Sequence, residues 1–252
     1  MSSAGMNQIN APGHLPLSPE EIHVWILDIH SCRFVKSTWE PFLLDDERKK
    51  AAQYKFEDDR FRFAARRGML RNLIAHYTDL VFPEIIYKVN PSGKIYLPDH
   101  PLRFSISSSQ NKIALAFVIG KEIGVDIEKV NPLPDLFLLM KRWFSKKEKL
   151  FFSRLPNESK LEAFYHVWTQ KEAFIKAKGE GLGILLNDFS VSVDPCSPAE
   201  LLEFKNGEPS YWQLESVNAG TSWKVAVCVQ SNSKLPIRVF NNLPSKNRKR
   251  SE

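Results

Sequence analysis

The sequence predicts an α+β protein made of two halves, each with helix packed on an antiparallel sheet. Three observations lead there: short apolar or alternating stretches of strand type, two long stretches of helical periodicity, and an order of strand, helices and strands that then returns to helices and strands. A chain of 252 residues is long enough for one large domain or two small ones. Its 43% hydrophobic and 25% charged residues are those of an ordinary globular protein.

Taken in order, residues 1–21 read as a flexible tail, with neither the basic start nor the apolar centre of a secretory signal. IHVWILDI (22–29) is apolar and β-rich, suited to a central strand. Residues 45–56 and 58–77 read as helices, the second carrying Phe63, Leu70, Leu73, Ile74 and Tyr77 on one side and Arg60, Arg62, Arg66, Arg67 and Arg71 elsewhere. Short strands are expected at 85–89, 94–97, 104–107 and 112–120, with Asn90-Pro91-Ser92-Gly93 turning between the first two. GVDIE (124–128) is a further strand. Ser145 and Glu148 form a capping box opening a helix to about Ser153, and a long helix from about Glu158 to Lys178 stops at Gly179. Strands at 189–193, 211–217, 222–230 and 237–240 close the chain. The expected division is a first half at 22–122, a second at 123–240 and a basic disordered tail at 241–252. No Pro/Gly linker marks the divide, so a tight interface between the halves is expected.

Charge and cysteine content narrow the function. The net charge is +6, but residues 244–252 hold four basic residues and one acid and so supply half of it. The rest is only mildly basic, which argues against nucleic acid and suits an anionic ligand or an acidic partner. No apolar run approaches the roughly 20 residues of a membrane helix. Cys32, Cys196 and Cys228 are isolated, without metal spacing, as expected of a cytoplasmic protein.

The chemistry concentrates in two stretches. Residues two apart on a strand share a face, so Asp126 and Glu128 lie side by side while Val125 and Ile127 point to the core. Neighbouring carboxylates repel unless a cation or proton intervenes; alone, such a pair is usually solvated at a sheet edge. Glu172 changes that, because it falls in line with Leu161, Phe164, Tyr165, Trp168 and Ile175, the stripe expected to cover the sheet. A carboxylate is rarely buried without a partner. If the helix lies on the 124–128 strand, three carboxylates meet, and hard oxygen ligands without His or Cys favour Mg²⁺ or Mn²⁺. Lys176, one turn further, is either an i,i+4 partner of Glu172 or an ammonium placed beside a metal-bound phosphate. Lys171 is expected to be solvated or at a binding surface.

Gly124-Val-Asp126-Ile-Glu128, followed by Trp168-x-x-Lys171-Glu172-Ala173-x-x-Lys176 and Gly179-Glu180-Gly181-Leu182, resembles the signature of the Sfp-type 4′-phosphopantetheinyl transferases. The likeness extends over roughly residues 22–240. It implies a monomer whose halves are related by a pseudo-twofold, with coenzyme A in the cleft between them. The activity implied is transfer of 4′-phosphopantetheine from coenzyme A to a serine of an apo acyl or peptidyl carrier protein, with release of adenosine 3′,5′-bisphosphate. Asp126, Glu128 and Glu172 would hold Mg²⁺ (or Mn²⁺), Glu172 would also be the base, and Lys176 would assist the departing phosphate. Lys50, Arg62, Lys94, Ser107 and Ser108 would lie at the coenzyme. Carriers are generally acidic, and Lys141, Arg142, Lys146 and Lys147 could receive one. Two readings compete: a metal-dependent phosphodiesterase or nucleotide hydrolase using the same carboxylates, and a non-catalytic carrier-binding module.

The pattern departs from the family at F104-S-I-S-S108, where members commonly carry Asn at 105 and His at 108, and at Ile95, which replaces a frequent proline. Loss of an imidazole removes a charge-assisted contact worth roughly 1–3 kcal/mol. Ser108→His is therefore expected to lower the Michaelis constant for coenzyme A; an unchanged constant contradicts this.

Overall fold

The computed structural model describes residues 8–9, 16–29, 39, 42–80, 82–179 and 184–244. Glu180, Gly181 and Leu182 of the trailing motif, Cys32, and the basic tail from residue 245 lie outside the described residues.

Five strands form the larger sheet: β1 (Gln8–Ile9), β2 (Ile22–Asp28), β5 (Leu102–Ser109), β6 (Lys112–Ile119) and β12 (Ile237–Phe240), in the order β1-β12-β2-β6-β5. A three-stranded antiparallel sheet runs β10-β11-β7, formed by β10 (Trp212–Ser216), β11 (Trp223–Gln230) and β7 (Ile123–Lys129). Two short ladders complete the strands: β3 (Lys88–Val89) with β4 (Ile95–Tyr96), and β8 (Phe189–Val191) with β9 (Leu201–Phe204). The helices are α1 (Asp45–Ala52), α2 (Glu57–Tyr77), α3 (Leu136–Trp143), α4 (Lys146–Arg154) and α5 (Asn157–Lys178). The connectivity repeats. In β2-α2-β5-β6 and again in β7-α5-β10-β11, the first strand pairs with the last and the last with the strand before it.

Strand alternation sorts the side chains into three cores. Trp25, Leu27, Ile113, Leu115 and Phe117 face α2, where Ala65, Met69, Leu70 and Leu73 are buried. The alternate residues, Val24, Ile26, Ala114, Ala116 and Val118, meet Ile123, Val125, Ile127, Val225, Val227 and Val229 of the smaller sheet. The far face of that sheet, with Ala226 and Cys228, is covered by α5 through Ala163, Val167, Ala173, Phe174 and Ala177. The middle core is almost wholly β-branched or alanine, which lets two sheets pack closely.

Four expectations need correction. Strand 237–240, assigned to the second half, joins the first sheet in parallel with β2, because β2 has an edge left open by β6 and Phe240 stacks on Trp25 at 4.5 Å. The tail through residue 21 is not without structure: Gln8–Ile9 pairs with the outer edge of β12, and Leu17 packs against the first core. The strand expected over 85–89 is confined to Lys88–Val89, Ile85 being used in the core instead. The stripe through Glu172 is not the face on the sheet. α5 is apolar on two sides; the buried side runs through Phe164, Val167, Lys171 and Phe174, while Leu161, Trp168, Glu172 and Ile175 are half-buried.

α5 crosses β7 at Gly124. A Cβ there would stand 2.1 Å from the Ala173 carbonyl oxygen and 2.4 Å from the Ala177 nitrogen, both backbone atoms of a helix that cannot give way locally. Gly124→Ala is therefore expected to cost about 2 kcal/mol or more, as overpacking against backbone does, and to lower Tm by about 5 °C or more. A wild-type Tm would contradict the close approach.

Candidate active site

Because Ile123, Val125 and Ile127 are buried between the sheets, Gly124, Asp126 and Glu128 face α5. Gly124 brings the helix down, so the two carboxylates meet its Glu172–Lys176 turn. Lys176 Nζ donates to Asp126 Oδ1 at 2.6 Å, to Ser107 Oγ at 3.0 Å and to the Val125 carbonyl at 3.3 Å. Ser107 Oγ donates in turn to Asp126 Oδ1 at 2.7 Å, and Ser109 Oγ donates to Glu128 Oε2 at 2.8 Å. Lys176 thus pairs with Asp126 across the strand rather than with Glu172 along its helix. Asp126 is 3% exposed, and its Oδ2 is buried without a hydrogen-bond partner. Glu172 has neither hydrogen bond nor ion pair among the described residues. Burial, and then the neighbouring Asp126, push the Glu172 carboxyl above its ordinary range. Burial also raises Glu128, with Asp126 and Glu172 adding to the rise and the Ser109 hydrogen bond opposing it.

Beside this turn opens a cleft of about 630 Å³. Trp143, Trp168, Ile175, Phe104, Ile106, Ile184, Leu185 and Leu186 give it apolar walls, and Glu172, Lys176, Lys94, Arg66 and Arg67 supply charge. Both repeats contribute, α2 and the β3–β4 turn on one side and α5 on the other. That turn is bolted to the end of α5: Asn90 Nδ2 and Ser92 Oγ donate to the Gly179 carbonyl, and Lys94 Nζ donates to the Ala177 carbonyl at 3.0 Å and to Glu122 at 2.5 Å.

A family model described as the 4′-phosphopantetheinyl transferase superfamily matches residues 122–228. The chain is 32% identical over 194 residues to the 4′-phosphopantetheinyl transferase HetI of Nostoc sp., covering 75% of this chain and 81% of that protein. It is 30% identical over 188 residues to the 4′-phosphopantetheinyl transferase Sfp of Bacillus subtilis, covering 74% and 82%. The L-aminoadipate-semialdehyde dehydrogenase-phosphopantetheinyl transferase of Xenopus laevis is 27% identical over 73% of this chain and 67% of its own. The chain belongs to the 4′-phosphopantetheinyl transferase family.

In this transferase the residues singled out from sequence fall into three groups. Asp126, Glu128, Glu172, Lys176 and Ser107 come together, and Lys94 lines the same cleft. The three carboxylates do not, as they stand, close on one point: among the described residues no three His, Cys, Asp or Glu side chains group as ligands of one ion. Ser108 is half-buried on β5 and is not a wall of the cleft. Lys50 and Arg62 likewise are not walls of the cleft. Lys50 lies over the Phe63 ring at 5.9 Å, and Arg62 bonds Asp59 one turn back on the outer side of α2.

The cations that α2 does bring to the cleft are Arg66 and Arg67, which sequence gave no reason to prefer within a run of arginines. Arg67 is partly spoken for, at 3.4 Å from Glu47 and stacked over Phe63 and Tyr87. Arg66 has no carboxylate partner among the described residues, and burial, with Arg67 beside it, lowers its pKa. Helical phase sets Arg67 apart from Arg62, but Arg66 is one turn on from Arg62 along the same face, so its place at the cleft depends on where along α2 the cleft opens.

Lys171, expected to be solvated or at a binding surface, is fully buried. Its Nζ lies 2.8 Å from Glu148 Oε1 and donates to the carbonyls of Leu186 at 2.6 Å and Phe189 at 2.8 Å. Glu148 also accepts from the backbone N–H of Ser145 and Val191, so the capping box of α4, α5 and β8 share one charge pair. Removing one partner of such a pair costs about 3–5 kcal/mol. Lys171 therefore holds the wall of the cleft formed by Leu186 and its neighbours, and does not enter it.

Proposed function

We propose that this chain transfers the 4′-phosphopantetheinyl group of coenzyme A to a serine hydroxyl of an apo acyl or peptidyl carrier protein, releasing adenosine 3′,5′-bisphosphate. The observation that carries the reading is that Glu172 and Lys176 line a cationic, apolar-walled cleft, with Asp126 bonded to Lys176 behind them and Glu128 next to Asp126 on the same face of β7. The relatives' names supply the reaction; the geometry supplies parts suited to it.

The donor set fits a hard divalent cation. The buried Oδ2 of Asp126 has no hydrogen-bond partner, and Glu128 and Glu172 are raised by burial and by the neighbouring Asp126, so all three gain from a shared cation. Asp126, Glu128 and Glu172 would hold Mg²⁺ or Mn²⁺, which when bound neutralises a pyrophosphate and orients it. Oδ2 of Asp126 would meet the ion while Oδ1 keeps its bond to Lys176, which holds the ammonium beside the site for the phosphate that departs.

Glu172, without hydrogen bond or ion pair among the described residues and lining the cleft, takes the proton of the carrier serine as the serine oxygen forms its bond to the pantetheine-side phosphorus. The bond from that phosphorus to the bridging oxygen breaks, and the electron pair leaves on adenosine 3′,5′-bisphosphate beside Lys176. Arg66, Arg67 and Lys94 line the path of the coenzyme's phosphates, and Trp143 and Trp168 give its pantetheine arm an apolar wall. Exposed Phe137, Leu138, Leu150 and Phe151 beside Lys141, Arg142 and Lys146 suit an acidic carrier with an apolar patch. One chain supplies both sides of the cleft, so the protein is read as acting as a monomer. The free thiols of Cys196 and Cys228 agree with a cytoplasmic site of action.

Intact mass spectrometry of an apo carrier protein incubated with the chain, coenzyme A and Mg²⁺ tests this. A gain of one phosphopantetheine is expected, falling at least 100-fold in rate with Glu172→Gln and lost without metal. Release of adenosine 3′,5′-bisphosphate without labelling of any carrier would favour a hydrolase, and coenzyme A binding with no turnover a non-catalytic module.

A further inference from the structure

β5 is the last strand of the larger sheet and β7 the last of the smaller, and serine side chains join them. Ser105, Ser107 and Ser109 stand two apart on β5, in line. Ser105 Oγ accepts from the Val125 N–H at 3.1 Å, and Ser109 Oγ accepts from the Lys129 N–H at 3.2 Å. Between them, Ser107 Oγ accepts from Lys176 and donates to Asp126. Each hydroxyl therefore has its oxygen fixed by a donor of known position, and at Ser107 and Ser109 the one proton is aimed at a carboxylate.

At Ser109 that proton goes to Glu128 Oε2, at 2.8 Å. Asp126 and Glu172 repel Glu128 while Lys176 attracts it, and the Ser109 hydroxyl is the one side chain hydrogen-bonded to it among the described residues. A flexible carboxylate facing two others on a half-exposed strand end has several staggered alternatives, and the Ser109 hydrogen bond selects one. We propose that Ser109 is a positioning residue for the metal site: anchored by the Lys129 N–H, its hydroxyl holds one oxygen of Glu128 so that the other meets the ion beside Asp126. The proposal rests on the reading of Asp126, Glu128 and Glu172 as metal ligands.

Ser105 is the internal comparison, since it makes the same kind of seam bond to β7 without touching a carboxylate. Mn²⁺ binding to the full chain, followed by the electron paramagnetic resonance signal of free Mn²⁺, separates the two roles. Ser109→Ala is expected to weaken Mn²⁺ binding about tenfold, as loss of a ligand's hydrogen-bond partner does. Ser109→Thr, which keeps the hydroxyl and suits a strand, restores it. Ser105→Ala leaves Mn²⁺ affinity unchanged, whatever it does to Tm. Wild-type affinity in Ser109→Ala overturns the proposal, and so does an equal loss in Ser105→Ala and Ser109→Ala, which would reduce both to the seam. Asp126→Asn distinguishes failure of the underlying reading. If wild type binds Mn²⁺ and Asp126→Asn does not, a silent Ser109→Ala defeats only the positioning role. If neither binds Mn²⁺, the metal reading falls and Ser109 falls with it.

Discussion

The site depends on one contact: the backbone of α5 resting on Gly124 of β7, where a hydrogen replaces every larger side chain. At that distance the next two residues on the same strand face, Asp126 and Glu128, stand under the next turn of the helix, with Glu172 and Lys176. A helix on a sheet ordinarily sits about 10 Å away, with a layer of side chains between. Here the layer is missing at one crossing, and polar groups of strand and helix can touch. The neighbouring Ala173 and Ala177 on the helix, and the apolar middle core that holds β7 from the other side, serve the same approach.

Charge is distributed in two ways around this contact. Structural ions are enclosed and paired, Lys171 with Glu148 and Arg71 with Glu47 at 2.6 Å, each supplemented by backbone carbonyls or amides, with only Nη2 of Arg71 left without a partner among these four side chains. The groups at the cleft are otherwise. Asp126 retains a buried oxygen without a partner, Glu172 makes no hydrogen bond among the described residues, and Arg66 has no carboxylate there. An unsatisfied buried polar group costs about 1–3 kcal/mol, more when charged, so a fold that keeps several in one place keeps them for something that binds. Anionic ligand and divalent cation together answer both signs of the imbalance.

Much of this was legible because strand alternation is unforgiving: once 124–128 is a strand with Val125 and Ile127 inside, Asp126 and Glu128 must share the other face. The long helices, the capping box at Ser145 and the stop at Gly179 were equally local. What failed was non-local. α5 is apolar on two faces because one covers a sheet and the other lines a cleft, and periodicity does not say which is which, so the Glu172 stripe was given to the core and Lys171 to solvent. The pairing of 237–240 with β2 and the place of Arg66 and Arg67 at the cleft also depend on how distant segments meet. The short elements α3 and β9 passed unnoticed for the same reason, being stabilised by what they pack against.

Anomalous diffraction from crystals of the chain grown with coenzyme A and Mn²⁺ tests the central claim most directly. The account predicts a single manganese peak bound by Asp126, Glu128 and Glu172 and by the coenzyme's pyrophosphate, with Lys176 beside the phosphate. A coenzyme lying outside the cleft between α2 and α5, or manganese away from those three carboxylates, would contradict it.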